Sequence, residues 1–366
     1  MQPISSPTLL LNQSVCKANL HRMVEKARAH NLVLKPHMKT HQSKTVGEWI
    51  KEEGVNAVTV SSIEMAQYFV EAGWKDITIA FPANPNKSHA LNELAAQVDI
   101  TILINSKTVA NSLSESLSHP VKAYIEIDTG ADRTGIPSEN TEQINDLISA
   151  IQSTKQLEWT GFYSHPGHSY QARSKAEISK VHQSVLKQAQ ALRERFSFLS
   201  NTFEICIGDT PCCSIAESFT GIDAISPGNF IFYDLMQTQI GSCEVADIAV
   251  VMACPIVDRY PKRNEVAIHG GAIHFSKEKL REGNITHYGQ LVTPSDDHWQ
   301  LPHNPAYLVS LSQEHGIVRF DPKDMKHYKI GDTVYIAPVH SCLTANLMEH
   351  YKLAQGKIIQ QMRKTR

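Results

Sequence analysis

Short apolar runs alternate with stretches of helical periodicity over residues 13–240. Leu20, Met23, Val24 and Ala27 recur at the spacing of one helix face, and a strand-like run at 32–34 follows them. Seven further runs continue the series, mostly separated by helical stretches: 57–60, 77–81, 100–104, 123–127, 160–163, 203–207 and 222–225. Eight such units predict an α/β fold with a closed parallel (β/α)8 barrel, or TIM barrel, and a doubly wound open sheet is the competing arrangement.

After about residue 240 the strands lose their intervening helices, which is typical of a mostly β domain. We expect strands at 249–254, 266–268, 308–311, 316–320 and 333–336. The run Thr8–Leu11 lies outside a barrel that begins at its first helix, so we expect it to join the β domain. The predicted domains are therefore a barrel of residues 13–240 and a β domain of residues 241–366 with 1–12.

Composition narrows the class of protein. Of 366 residues, 42% are hydrophobic and 20% charged, which is typical of a globular chain. The formal charge of -2 gives no reason to expect nucleic acid or an anionic membrane as a partner. No apolar run approaches the ~20 residues that cross a bilayer, and residues 1–11 do not resemble a signal peptide. Seven cysteines without framework spacing favour reduced thiols and a cytoplasmic location.

Lys39 follows the first predicted barrel strand, at the end of the barrel where catalytic residues usually lie. Partial desolvation there would lower the pKa of the lysine and leave a neutral amine able to attack an aldehyde. An isolated loop lysine is more often an ordinary surface residue. Position alone therefore leaves both interpretations open.

Two loops after the last predicted barrel strands are candidate phosphate sites. In the first, Gly208 precedes Thr210 as the expected N-cap and Pro211 as the expected first residue of a helix, whose free N–H groups attract anions. The second, residues 226–230, follows the eighth strand and contains Gly228 and Asn229. Barrels often bind phosphate with backbone amides at these positions, although either loop alone could be an ordinary connection.

His340 and Cys342 form a candidate metal pair. If the strand before them continues extended, residues i and i+2 point to the same side and the two side chains converge. Imidazole nitrogen and thiolate sulfur together suit Zn²⁺ better than Mg²⁺ or Ca²⁺. Two ligands leave the coordination shell incomplete, so water and substrate oxygens would have to fill it, as at catalytic zinc sites.

The sequence Pro-His-Met-Lys-Thr-His at 36–41 resembles the lysine segment of the fold-type III pyridoxal-phosphate enzymes, in the group of D-threonine aldolase and D-serine dehydratase. Similar segments continue in order along most of the chain. The resemblance implies that Lys39 holds pyridoxal 5'-phosphate covalently and acts as the base for the α-proton. It also implies that Thr210, Gly228 and Asn229 bind the phosphate.

The same resemblance gives roles to residues after the fifth and sixth strands. Tyr163 and Tyr170 would line the cofactor site, although Tyr163 could simply pack its ring in the core. Arg133 would face the pyridine nitrogen, although it could instead pair with a nearby aspartate at the surface. Because an arginine rarely gives up its proton, the ring nitrogen would stay unprotonated and the electron sink would be weaker. His165 would lie near the ring or the substrate.

Cys342 narrows the expected reaction. The dehydratase branch of the group carries His-x-Cys here, whereas the aldolase branch carries His-x-Asp with a harder ion such as Mn²⁺. The resemblance therefore implies a Zn²⁺-dependent lyase, with Mn²⁺ as the other metal, that eliminates water from a D-3-hydroxyamino acid. D-serine, giving pyruvate and ammonia, is the first expectation.

Three alternatives share this fold and cofactor: an aldolase acting on D-threonine or 3-hydroxy-D-aspartate, a 3-hydroxyaspartate dehydratase, and a non-catalytic pyridoxal-phosphate-binding protein. Similar enzymes commonly form homodimers, so a homodimer that acts on a small D-amino acid is expected.

Overall fold

The computed structural model describes residues 4–199, 203–295 and 298–363. These residues divide into two compact units. One unit consists of Arg22–Lys39 and Gly47–Gly228, and the other contains the remaining described residues. The chain begins with β1 (Thr8–Leu11), followed by the helix α1 (Gln13–Ala29).

The first unit contains eight parallel strands that form a barrel. These are β2 (Val33–Leu34), β3 (Ala57–Val60), β4 (Asp76–Pro82), β5 (Asp99–Leu103), β6 (Val121–Asp128), β8 (Leu157–Ser164), β9 (Glu204–Ile207) and β10 (Ala224–Ile225), with the short β7 (Ile136–Pro137) paired only to β6. The helices are α2 (Lys44–Glu52), α3 (Ile63–Val70), α4 (Ser88–Ala95), α5 (Lys107–Ser116), α6 (Thr141–Gln152), α7 (Lys175–Phe196) and α8 (Thr210–Ile215). All eight predicted strand positions coincide with these strands.

The barrel closes at the segment that carries the candidate lysine. Strands are adjacent in the order β2-β10-β9-β8-β6-β5-β4-β3. Just beyond β2, a parallel bridge joins His37 to Thr59: the Met38 N–H donates to the carbonyl of Thr59 at 2.8 Å, and the Thr59 N–H donates to the carbonyl of Pro36 at 2.9 Å. The predicted closed barrel is therefore confirmed, and the open-sheet alternative is wrong.

The longest helix shows why the sequence folds this way. The buried residues of α7 recur every three or four positions, so they form one apolar face: Ile178, His182, Val185, Ala189, Leu192 and Phe196. Ser174 begins the helix by accepting a hydrogen bond from the Glu177 N–H at 3.2 Å. Inside the barrel, inward side chains of neighbouring strands pack together, among them Tyr124, Tyr163 and Cys206.

The second unit is built on an antiparallel sheet. Its strands are β1, β11 (Val250–Tyr260), β12 (Glu265–His269), β15 (Gly289–Ser295), β16 (His298–Gln300), β17 (Tyr307–Leu311), β18 (His315–Arg319), β19 (Thr333–Pro338), β20 (His350–Leu353) and β21 (Ile358–Gln360), with β13 (Leu280–Glu282) and β14 (Ile285–His287) as a separate hairpin. Its helices are α9 (Leu235–Ile240), α10 (Ala272–Phe275) and α11 (Ser341–Leu347).

The order of this sheet is β12-β18-β17-β15-β19-β11-β1-β20-β21. Because β12 also pairs with β11, the first six strands form a closed ring. As expected, β1 is part of this sheet, and it pairs with β11 antiparallel and with β20 parallel. Within the described ranges, no helix is sufficiently long and apolar to span a membrane.

Candidate active site

Two lysines flank the Pro-His-Met sequence after β2, and they differ in burial. Lys35 is buried, with Nζ 2.9 Å from the hydroxyl of Tyr124 and 2.7 Å from a carboxylate oxygen of Glu204. Burial alone would lower the pKa of Lys35, but the surrounding negative groups, with Glu204 in contact, raise it. Lys39 is exposed. Lys39 is therefore the lysine that a ligand at the strand ends can reach.

The expected desolvation of Lys39 is not found. The residue is exposed instead of partly buried at the strand end. Its backbone N–H approaches Nδ1 of His37 at 3.4 Å, and His37 forms the bridge that closes the barrel. The segment therefore holds the backbone of Lys39 at the strand ends.

His165 lies near the positive groups at this end of the barrel. Its Nδ1 contacts the backbone carbonyl of Gly208. A carbonyl oxygen can only accept, so Nδ1 carries the proton and Nε2 keeps the lone pair. Burial, followed by the charges of Arg133 and Lys39, lowers the pKa of His165 to about 3. The imidazole is therefore neutral at physiological pH. Because the charges of Arg133 and Lys39 both lower the pKa of His165, these three residues are neighbours.

The two candidate tyrosines approach the loop after β9. The Thr210 N–H donates to the hydroxyl oxygen of Tyr170 at 3.3 Å. At Gly208, a Cβ atom would lie 2.5 Å from Oη of Tyr163 and 3.1 Å from the carbonyl oxygen of Ser226, so only glycine fits. Burial raises the pKa of Tyr163, which keeps the phenol protonated. Tyr163 thus belongs to the barrel core through its ring and to this loop through its hydroxyl.

The helix after β9 begins one residue earlier than predicted. Asp209, not Thr210, is the N-cap: its carboxylate accepts the Cys212 N–H at 2.8 Å and the Ser169 hydroxyl at 2.7 Å. The cap needs an acceptor three residues before the N–H that it satisfies, and Asp209 has that position. Thr210 and Pro211 are therefore the first two helical residues.

Arg133 faces a buried carboxylate. Its Nη2 lies 3.9 Å from Oε1 of Glu126, whose side chain is 3% exposed. The aspartates that sequence offered as surface partners do not provide this contact, because the carboxylate of Asp128 accepts the backbone N–H groups of Gly130, Ala131 and Asp132. Arg133 itself is 54% exposed, so its guanidinium can contact a ligand.

The candidate metal pair does not lie on an extended strand, so that expectation was wrong. β19 ends at Pro338, His340 is the N-cap of α11, and Cys342 is the second residue of that helix. The helix begins here because the Ser341 N–H, at its first position, finds an acceptor in the carboxylate of Asp234 at 2.9 Å. His340 and Cys342 are therefore neighbours at the start of α11, and not residues on the same side of an extended strand.

Asp234 and Asn229 link His340 to Cys342 through hydrogen bonds. Nδ1 of His340 lies 3.2 Å from Oδ2 of Asp234, which is completely buried. Nδ2 of Asn229 donates to that same oxygen at 2.7 Å and lies 3.4 Å from Sγ of Cys342. Oγ1 of Thr40 lies 3.3 Å from the same sulfur. Nitrogen and sulfur ligand atoms are thus held in one polar cluster of the second unit.

The charge around His340 favours a cation. Burial would lower its pKa, but the hydrogen bond to Asp234 and the charges of Cys342 and Asp234 raise the pKa to about 9. The side chain remains 23% exposed, so it can be reached. Groups that hold a proton on an imidazole also attract a metal ion, which competes with that proton.

Sequence reasoning missed two members of this cluster and gave Asn229 a different role. The side chain of Asn229 contacts Asp234, Ser341 and Cys342, whereas the resemblance assigned this residue to phosphate. Asp234 has only one local signal, its position before α9, where it accepts the Gln237 N–H at 3.0 Å. Thr40 could have been suspected because it follows Lys39 directly.

A second group of ligand-type side chains lies elsewhere in the β unit. Ligand atoms of His269, His274 and Glu314 lie within 4.8 Å of one another. However, the Gly271 N–H donates to Nδ1 of His274 at 3.1 Å, so a neutral ring carries its proton on Nε2. That tautomer has no lone pair for a metal on the remaining nitrogen, and the pair at His340 and Cys342 is the better metal candidate.

Two family models and several known proteins match this chain over much of its length. The family model "Alanine racemase, N-terminal domain" matches residues 11–234, and the model "Putative serine dehydratase domain" matches residues 249–354. The D-serine dehydratase of Dictyostelium discoideum is 28% identical over 95% of this chain and 93% of that protein. The D-serine dehydratase of Schizosaccharomyces pombe is 25% identical over 97% of this chain and 90% of that protein.

Among solved structures, the D-threo-3-hydroxyaspartate dehydratase of Delftia sp. superposes with a TM-score of 0.90. The match covers 99% of this chain and 98% of that one at 21% identity, which shows a shared fold. Solved variants of that enzyme replace a histidine and a cysteine two positions apart, and the cysteine variant is in a metal-free form. The chain belongs to the alanine racemase N-terminal domain family, within the fold-type III pyridoxal-phosphate enzymes, and is an enzyme of the lyase class.

Proposed function

We propose that the protein is a D-serine dehydratase that uses pyridoxal 5'-phosphate on Lys39 and Zn²⁺ on His340 and Cys342 to convert D-serine to pyruvate and ammonia. The observation that carries the proposal is the position of Thr40. This residue follows Lys39 directly in the chain, and its Oγ1 lies 3.3 Å from Sγ of Cys342. The residue that follows the candidate cofactor lysine in the chain therefore contacts a candidate metal ligand. D-serine dehydratases at 28% and 25% identity over nearly the whole chain support the same reaction.

The residues after β9 fit a phosphorylated cofactor. Gly208 lets the Tyr163 hydroxyl approach the loop after β9 closely, and in the same loop the Thr210 N–H donates to Tyr170. In our proposal Thr210 binds the phosphate together with Gly228 and the backbone of Asn229. Pyridoxal phosphate held by these residues would supply an electron-withdrawing ring that stabilises negative charge at the α-carbon of the substrate.

The barrel residues have separate tasks in this proposal. The amine of Lys39, freed when the substrate amine takes its place on the cofactor, would accept the α-proton. Arg133 keeps its own proton and so leaves the pyridine nitrogen unprotonated. His165 is neutral, with its proton on Nδ1, and can accept a hydrogen bond at Nε2.

The donor set at His340 and Cys342 fits a borderline-soft divalent ion such as Zn²⁺. Asn229 and Thr40, each with a group able to donate a hydrogen bond, lie beside the sulfur of Cys342. When bound, the metal withdraws electrons from the substrate hydroxyl and makes it a better leaving group. Two protein ligands leave positions for solvent and substrate, as a catalytic site requires.

The proposal is tested by product identification on D-serine, D-threonine and 3-hydroxy-D-aspartate, with and without a chelator. Pyruvate and ammonia from D-serine, lost on chelation and restored by Zn²⁺, are the expected result. An aldehyde together with glycine would instead identify an aldolase. Bound cofactor without turnover of any of the three substrates would identify a non-catalytic binding protein. We also propose a homodimer, which sedimentation velocity would test.

A further inference from the structure

The two carboxylate oxygens of Asp234 accept hydrogen bonds from two different helices, α9 and α11. Oδ1 accepts the Gln237 N–H at 3.0 Å and so caps α9. Oδ2 receives the Ser341 N–H at 2.9 Å, the Asn229 side-chain amide at 2.7 Å and Nδ1 of His340 at 3.2 Å. The carboxylate is completely buried. An N-cap alone would explain the first contact but not the others.

The contacts to Oδ2 determine where the proton of a neutral His340 ring lies. A backbone N–H and an amide N–H both donate to this oxygen, so it acts as an acceptor. The ring nitrogen that faces it must then be a donor, which places the proton on Nδ1. The lone pair of the neutral ring is therefore on Nε2.

We propose that Asp234 is a positioning residue that fixes the tautomer and orientation of His340, so that Nε2 is reserved for a divalent metal ion. This inference rests on the metal site of the proposed function. A carboxylate that receives the second N–H of a metal-binding histidine makes the imidazole a stronger ligand and holds its ring plane. Asp234 itself acts through His340, with no contact to the ion.

Asn229 extends this arrangement to the second ligand. Its Nδ2 atom lies 2.7 Å from Oδ2 of Asp234 and 3.4 Å from Sγ of Cys342. One amide group thus bridges the carboxylate behind His340 and the sulfur of Cys342. This bridge positions the two ligand atoms before the metal binds. Metal binding therefore does not have to order them.

Asp234→Asn is the informative variant, because the amide has nearly the same shape but one donor and one acceptor. If its NH2 group faces His340, the ring must accept there and carries its proton on Nε2, which blocks the metal. If its oxygen faces His340, the NH2 group opposes the Gln237 N–H and the cap of α9 is lost. Either orientation weakens the arrangement, and loss of the negative charge adds to the effect.

The experiment measures metal binding by the holoenzyme, by competition with a chromophoric zinc chelator, for wild type, Asp234→Asn and His340→Ala. We expect Asp234→Asn to bind Zn²⁺ about 10- to 100-fold more weakly than wild type. Ser106→Ala is the matched control, because Ser106 caps α5 by accepting the Val109 N–H at 3.3 Å, in the barrel unit. This control should lose a similar cap but bind zinc as wild type does.

Two spectroscopic measurements separate positioning from general destabilisation. With Co²⁺ in place of Zn²⁺, the thiolate charge-transfer band should need more metal to saturate in Asp234→Asn, at a temperature where both proteins are folded. Should this variant fail to fold, ¹⁵N NMR of histidine-labelled wild type answers the question directly. The expected signal for His340 in the zinc-loaded protein, assigned with His340→Ala, is that of a ring protonated on Nδ1.

The possible outcomes distinguish the inference from the proposal on which it rests. Equal zinc affinity of wild type and Asp234→Asn would overturn the role of Asp234 and leave the metal site standing. A His340 ring protonated on Nε2 in the zinc-loaded protein would overturn both the role of Asp234 and the assignment of Nε2 as the ligand atom. Wild-type enzyme that binds no metal, or binds it equally well after His340→Ala, would overturn the metal site and the inference together.

Discussion

Nζ of Lys35 lies 2.7 Å from a carboxylate oxygen of Glu204 inside the barrel, four residues before the exposed Lys39. The two lysines of one short segment therefore have opposite tasks. Lys35 neutralises a partly buried carboxylate, whose side chain is 27% exposed, and cannot leave it without cost. Lys39 is an exposed residue that a ligand can reach.

Replacement of the two lysines should separate stability from cofactor attachment. Lys35→Met leaves Glu204 with an unpaired charge and should lower the free energy of unfolding by about 2 to 3 kcal/mol. Lys39→Met should change it by about 0.5 kcal/mol or less, because the side chain is exposed, but should abolish borohydride-stable labelling by pyridoxal phosphate. Urea denaturation and mass spectrometry measure the two effects.

The double variant Lys35→Met, Glu204→Gln provides the control, because it removes both charges at once. It should recover at least half of the stability that Lys35→Met loses. Labelling of Lys35 instead of Lys39 in the wild-type enzyme would contradict the assignment of the two lysines.

Gly208→Ala should weaken binding of pyridoxal phosphate about tenfold or more, which corresponds to about 1.4 kcal/mol. The added Cβ would lie 2.5 Å from Oη of Tyr163, so the loop that precedes Thr210 has to move. Titration of the cofactor-free protein, followed by absorbance, measures the affinity.

A second replacement isolates this contact. Tyr163→Phe removes the hydroxyl that the new methyl group meets, so Gly208→Ala in a Tyr163→Phe background should cost less affinity than in the wild type. The carbonyl oxygen of Ser226 at 3.1 Å would prevent complete recovery. Equal losses in the two backgrounds would show that the clash with Tyr163 is not the cause.

The barrel could be predicted from sequence because its signal is local and repeated. Ala57–Val60, for example, is a completely buried run that precedes a helix with one apolar face. Two strands of the second unit gave no such signal: β15 is seven residues long but has no regular alternation, and β20 alternates but has only four residues. Their pairing depends on partners distant in the sequence, for example Leu291 with Ile336.

The candidate site was predictable where a motif is contiguous and was missed where it depends on tertiary contact. Lys39 and Cys342 stood out from their neighbours in the sequence. Asp234 did not, because its contact with His340 spans 106 residues. The prediction of an N-cap at Thr210 failed by one residue because Asp209 has an equally suitable side chain. Local propensity could not choose between two adjacent capping residues.

His41 should make stability depend on pH below neutrality. Its ring is 1% exposed, and burial lowers its pKa to about 3, whereas an unfolded histidine titrates near 6.5. As the pH falls from 6.5 towards 3, the unfolded chain binds a proton that the folded chain does not. The free energy of unfolding should therefore fall by about 1.4 kcal/mol per pH unit from this residue.

Urea denaturation at pH 7, 6 and 5 measures this contribution in His41→Asn. Asparagine has an oxygen that can accept the Ser43 N–H, which donates to Nδ1 of His41 at 3.1 Å, and it does not titrate. The stability of this variant should decline less steeply than that of the wild type. His89→Asn is the control, because the His89 side chain is 90% exposed and its replacement should leave the slope unchanged. Parallel slopes for all three proteins would contradict the prediction.

Cys342→Asp should change the preferred metal from Zn²⁺ to a harder ion such as Mn²⁺. Carboxylate oxygen suits Mn²⁺ and Mg²⁺, whereas thiolate favours Zn²⁺. An aspartate at position 342 can form hydrogen bonds there, because the Thr40 hydroxyl and the Asn229 amide beside Sγ can each donate to a carboxylate. Metal content and D-serine turnover after reconstitution with each ion measure the change, and Cys342→Ala is the control that removes the ligand. A Cys342→Asp enzyme that still selects Zn²⁺ as strongly as wild type would show that the residue at position 342 does not choose the metal.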